Sequence, residues 1–176
     1  MPFSPYENKE WILEKIKEVN PKSILDVGVG EGILEQIARP IFGSEVKIDG
    51  IEVWKPYISE YKLEDKYDNI FNVDAREWDI WDYDVVMFGD VLEHMTETEA
   101  VTLWNKAAKS AKSILLSIPI VHSPQGAWGG NPYEIHHEED WNTDRVLNSF
   151  NGIIDYKDFT ISGAYFARFD NEVISK

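Results

Sequence analysis

Ile24-Leu25-Asp26-Val27-Gly28-Val29-Gly30-Glu31-Gly32 is the stretch on which the reading of this chain turns. A short apolar run enters three glycines spaced two apart, and Ile33 to Arg39 then resumes helical spacing. A strand, glycine turn and helix in that order bring bare backbone and the positive end of a helix to one point, where a ligand can approach closely. Upstream, Ser4-Pro5-Tyr6-Glu7 predicts a helix start, with Ser4 as cap, Pro5 at the first position and Glu7 completing a capping box. Ile12, Ile16 and Val19 share one helical face and Asn20-Pro21 stops it, giving an N-terminal helix over about 5–19.

Downstream, Pro40 and Gly43 are expected to end the second helix. Further strands are predicted over 46–52, 67–73, 83–89, 113–118, 153–160 and 164–169. Helices are predicted over 56–61, after the Thr96/Glu99 capping box, and over 143–150. Ala100, Trp104, Ala107, Ala108 and Ala111 mark the inner face of the second of these. The order is a helix, five strand–helix alternations and a terminal strand pair. It predicts an α/β, doubly wound, mostly parallel seven-stranded sheet with helices on both faces. Asp155 and Lys157 alternate with apolar neighbours, which predicts that the terminal pair is antiparallel and half-exposed at the sheet edge. Residues 119–138 have no periodicity and hold three glycines and three prolines, the mark of a functional loop.

The 176 residues carry 17 Lys plus Arg against 32 Asp plus Glu, a net charge of −15. Such a surface repels phosphate backbones and anionic membranes, so nucleic acid and membrane are poor partners and a small molecule is the expected one. The absence of cysteine excludes a disulfide framework, a thiolate zinc site and a cysteine nucleophile. No apolar run approaches the ~18 residues of a bilayer span and no signal peptide is evident. The expectation is a single domain over 1–176 in the cytoplasm.

A nicotinamide dinucleotide site wants G-x-G-x-x-G, and the third glycine position is Ile33 here. The actual spacing, G-x-G-x-G with Asp26 two residues ahead, resembles motif I of the class I S-adenosylmethionine (SAM)-dependent methyltransferases. Three more motifs follow in the family's order: Gly50-Ile51-Glu52 ending the second strand, Asn72-Val73-Asp74-Ala75-Arg76 after the third, and Asp90-Val91-Leu92-Glu93-His94 after the fourth. The last resembles the D-x-L-E-H motif of small-molecule methyltransferases. The resemblance covers about residues 5–170 and implies a Rossmann-like fold with SAM as cofactor. It also implies cofactor contacts from Asp26, Gly28, Gly30, Gly32, Glu52, Asp74, Ala75 and Asp90. Glu52 would accept from both ribose hydroxyls and Asp74 from the adenine amino group, while Asp90 would lie beside the methionine end.

Methyl transfer to oxygen needs a base, and His94, His122, His136 and His137 are the histidines available. His94 is the first choice by its place after the fourth strand, with His136 and His137 as further catalytic candidates. Trp128, Asn131, Tyr133, His136 and His137 concentrate in the long loop and could close over a ring-shaped acceptor. Asn131-Pro132-Tyr133-Glu134-Ile135-His136-His137, with Trp141 beyond it, looks like the segment after strand five in some methyltransferases of surface-polysaccharide clusters. That likeness implies a sugar or nucleotide-sugar hydroxyl. No metal is expected, because adjacent side chains such as His136, His137 and Glu138 cannot all share one face. The alternatives are a SAM-binding module without catalysis and a nucleotide-binding oxidoreductase.

Overall fold

In the computed structural model, which describes residues 6–169, a parallel core runs β1 (Ser23–Val27), β2 (Lys47–Ile51), β3 (Asn69–Phe71), β4 (Val85–Gly89) and β5 (Ser113–Pro119). Two further strands, β6 (Ile153–Asp158) and β7 (Ser162–Arg168), form an antiparallel pair. The order across the single seven-stranded sheet is β3-β2-β1-β4-β5-β7-β6, with β7 antiparallel to β5. This is the doubly wound α/β architecture expected, with the reversal in strand order falling between β1 and β4.

Side chains of β4 show how the layers form. Val85 and Met87 point to one face, where they meet Ile12 and Ile16 of α1 (Lys9–Val19) and Leu34 and Ala38 of α2 (Ile33–Phe42). Val86 and Phe88 point to the other, against Leu103 and Trp104 of α4 (Glu97–Ala108), Val146 of α5 (Thr143–Ser149) and Phe150 just after it. The short α3 (Lys55–Glu60) follows β2. A strand covered on both faces can be apolar at every position, as β4 nearly is.

Several expectations are corrected. The N-terminal helix begins at Lys9, after a 3-10 turn over Tyr6–Asn8. Ser4 and Pro5 lie outside the described residues. Glu7, whose capping-box partner would be Ser4, is engaged elsewhere. Its carboxylate accepts the backbone N–H groups of Thr160, Ile161 and Ser162, tying the start of the chain to the β6–β7 turn. Pro40 lies inside α2 rather than ending it, because a proline near the C-terminus costs one backbone bond and leaves the last turn intact. Gly43, with φ of 66°, ends the helix instead.

No α-helix joins β3 to β4. Trp78 packs on Phe71 and Trp81 on Phe88, so indole rings fill the space that a crossover helix would cover. Of the terminal pair, only β6 is exposed at the edge. β7 is buried between β5 and β6.

Candidate functional site

The glycine turn sits at the C-terminal end of β1, and each glycine adopts the left-handed conformation, with φ of 70°, 54° and 83° at Gly28, Gly30 and Gly32. A Cβ on Gly28 would run into the Val91 side chain, so the loop after β4 can close on this turn only over a bare α-carbon. Gly32 caps α2 and lies outside the crevice lining; its N–H bonds to Val29. The crevice itself opens at the β1/β4 switch point and encloses about 1090 Å³, its open mouth included.

Asp26, Gly28, Gly30, Glu52, Asp74, Ala75, Asp90 and His94 all line it, brought together from the ends of four strands. Glu52 is 4% exposed and braces the turn: one carboxylate oxygen accepts from Gly30 N–H at 3.1 Å and the other from Trp54 N–H at 2.7 Å. Burial pushes its pKa up to about 7, against the lowering effect of those two N–H groups. Each oxygen keeps a second lone pair for a hydroxyl donor. Asp74 is already engaged by Arg76, through its backbone N–H at 2.9 Å and its guanidinium at 2.6 Å. Partial burial raises the Asp74 pKa, and the bonds from Arg76 more than reverse this.

Asp26 lies at the crevice floor and accepts from Tyr67 Oη at 2.7 Å. Burial pushes its pKa up to about 7, with the Tyr67 hydroxyl and the Lys9 charge opposing the rise. A folded-state pKa above the unfolded value gives stability that is full below about pH 4 and lost as pH rises through 7. Tyr67→Phe removes the one hydroxyl shown on this carboxylate. The expected cost is about 1–3 kcal/mol at pH 8 and clearly less at pH 5, read by urea unfolding at both values. An equal loss at both pH values would mean that the Asp26 carboxylate is not what the hydroxyl supports.

Sequence reasoning missed Lys9. It is 8% exposed and lines the crevice, where burial lowers its pKa while the charges of Asp90 and Asp26 raise it. The signal was present: Lys9, Ile12 and Ile16 fall at i, i+3 and i+7, which places a lysine on the buried face. Asp90 was legible but not its state. It has φ of 55°, one oxygen accepts from Ser117 Oγ at 3.1 Å, and the other is buried with no partner.

The long loop supplies Asn131, Tyr133 and Glu134 to the crevice through a 3-10 turn, Pro132–Glu134. Tyr57 Oη donates to Glu134 at 3.2 Å, and the Tyr133 ring tilts on Trp54 with centroids 6.3 Å apart. Trp128, expected over the ligand, is 47% exposed and outside the lining. Trp141 is a core residue, stacked on Phe150.

The histidines separate. His122 is exposed beside Asp140, and His137 is exposed and outside the crevice lining. His94 and His136 meet ring to ring at 4.8 Å, with Glu93 beneath them. Burial and the neighbouring His136 push the His94 pKa down to about 4, so the ring is neutral at physiological pH.

The strand order, the antiparallel β7 and a crevice at the β1/β4 switch together define the Rossmann-like fold of the class I SAM-dependent methyltransferases. Solved methyltransferase structures share that fold. The chain is similar to human N-acetylserotonin methyltransferase in complex with SAM, at 16% identity and TM-score 0.68 over 92% of this chain and 51% of that one. It is similar to magnesium protoporphyrin IX methyltransferase from Synechocystis PCC 6803 with bound SAM, at 16% identity and TM-score 0.65, covering 92% and 78%. A third likeness is the N-terminal domain of EvdMO1 in the presence of S-adenosylhomocysteine (SAH) and D-fucose, at 14% identity and TM-score 0.65, covering 94% and 84%. The chain thus spans about half the length of the human enzyme. No protein-family model matches it, and no curated protein matches at significant similarity. Among the described residues, no helix is long and apolar enough to cross a membrane.

Proposed function

We propose that this chain is a SAM-dependent methyltransferase that methylates a hydroxyl of a small-molecule acceptor. The observation that carries the reading is the set of groups lining one crevice. Glu52 offers lone pairs to a vicinal diol such as the ribose. Lys9 beside Asp26 and Asp90 offers an ammonium and two carboxylates to a zwitterion such as the methionine end. Asp74 and Ala75 line the same crevice and would take the adenine, with the Asp74 lone pairs shared between Arg76 and the amino group. The excess of carboxylates favours a cationic sulfur and disfavours a phosphorylated acceptor. The solved structures with SAM or SAH support the same cofactor.

When bound, the cofactor supplies an electrophilic methyl group. The residues of this chain then have three tasks: to align the acceptor oxygen with that methyl, to exclude water, and to draw off the hydroxyl proton. Tyr133, Asn131 and Glu134 form the wall on the loop side. The Glu93–His94–His136 corner is where the hydroxyl is activated. The D-fucose in the EvdMO1 structure belongs to that protein, and a sugar hydroxyl is the acceptor class to screen first.

The test is calorimetric titration with SAH, with NADH as the competing ligand, followed by a methylation screen of neutral sugars and phenols. SAH affinity is expected to tighten as pH rises from 6 to 8 and then to level off. The sign follows from Glu52 and Asp26, whose pKa values near 7 fall when hydroxyl and ammonium donors bind the carboxylate forms. Glu52→Gln is expected to weaken SAH about tenfold, about 1.4 kcal/mol, and to flatten part of that slope. NADH binding without an SAH signal would reverse the assignment.

A further inference from the structure

Glu93, His94 and His136 each bring a ligand atom within 4.8 Å of the others. Glu93 and His94 come from the 3-10 turn after β4, and His136 from the long loop 42 residues later, so only the folded chain assembles the group. Its hydrogen bonding is one-sided. His94 Nδ1 lies 3.3 Å from the Ile135 carbonyl and His136 Nδ1 lies 2.6 Å from the Ser123 carbonyl. A carbonyl only accepts, so each Nδ1 carries the proton and each Nε2 is left with a bare lone pair. Glu93 is 1% exposed, and its Oε2 is buried with no hydrogen-bond partner. Asp90, next in the crevice wall, also has a buried oxygen without a partner.

Two imidazoles and a buried carboxyl group with a partnerless oxygen therefore come within 4.8 Å of one another. Such a corner is electrostatically incomplete, since an unsatisfied buried acceptor costs about 1–3 kcal/mol. A cation completes it. Backbone carbonyls orienting the far nitrogen of each ring are the usual support of metal-bound histidine. Two imidazoles and one carboxylate suit a first-row divalent transition ion better than magnesium, which prefers an all-oxygen shell. An ion held at about 2.0–2.2 Å sets its ligands about 3–3.5 Å apart. The three side chains thus draw together by about 1 Å on loading.

We propose that Glu93, His94 and His136 bind a divalent transition-metal ion at the acceptor side of the crevice. His94 is the member of the trio that lines the crevice, so the ion's open positions face the space where the acceptor hydroxyl would sit. An ion there would acidify a hydroxyl directly. The role in methyl transfer rests on the function proposed above; the binding of the ion does not.

The experiment is titration of EDTA-treated full-length protein with Co²⁺ and Zn²⁺. Co²⁺ is followed by its visible d–d bands, Zn²⁺ by calorimetry, and SAH affinity is measured on the same preparation. One equivalent is expected to bind. His136→Ala and the isosteric Glu93→Gln are expected to weaken it about 100-fold each, with an unchanged circular dichroism spectrum and SAH affinity. Absence of saturable Co²⁺ or Zn²⁺ binding in the parent, or equal binding in a folded His136→Ala variant, overturns the proposal. Loss of SAH binding in the parent with intact metal binding instead overturns the methyltransferase reading and leaves the ion site standing.

Discussion

Gly30→Val is expected to abolish SAH binding, with a loss of at least about 100-fold, or ~2.7 kcal/mol. Gly30 has φ of 54°, lines the crevice and gives its N–H to Glu52 at 3.1 Å. A β-branched residue in the left-handed region costs roughly 1–2 kcal/mol, and relieving that strain by rotating the peptide breaks the bond to Glu52. Keeping the bond instead adds two methyl groups at a position that lines the crevice. Gly43→Ala is the control. Gly43 also has a positive φ, 66°, but a Cβ there would meet nothing within 4 Å, and the residue is not in the crevice. It should lower the melting temperature without touching affinity. Calorimetry on both variants decides the matter, and retained SAH affinity in folded Gly30→Val would mean that the turn is not a ligand cradle.

His94→Ala is expected to lower kcat by about 10²–10⁴ while SAH affinity stays within about 1 kcal/mol of the parent. His94 is the histidine in the crevice wall, neutral at physiological pH and held by Ile135. Removing its ring takes away the lone pair through which the corner acts on the acceptor, whereas Glu52 and the glycine turn remain to hold the cofactor. His122→Ala, with its exposed ring beside Asp140, should retain parental turnover. Steady-state kinetics with any acceptor found in the screen supplies the readout. Equal turnover in His94→Ala and parent would remove the corner from the reaction.

Much of the site is legible because its determinants are local. Gly28, Gly30 and Gly32 announce a turn by spacing, and Glu52, Asp74 and Asp90 each follow a strand, so parallel pairing alone carries them to one edge of the sheet. Lys9 was harder to see, since its partners Asp26 and Asp90 are distant in sequence and a lysine at a helix start usually faces water. Trp141 and Trp128 show the opposite difficulty. Both read as loop aromatics, yet one stacks on Phe150 in the core and the other stands in solvent. Their burial depends on which face the loop turns inward, and no local pattern encodes that. Glu7 likewise fits a capping motif by spacing but is claimed by three N–H groups more than 150 residues away.

By itself the sequence determined the layered sheet, the switch-point crevice and the carboxylates at its rim. Strand periodicity, glycine conformation and charge act over a few residues and survive in almost any packing. Only the tertiary structure decided which histidines come together. Placing His136 against His94 and Glu93 requires the loop after β5 to fold back on the turn after β4, anchored where His137 and Glu138 N–H groups bond to the Glu93 carbonyl. Contacts of that range are set by the shape of the whole chain.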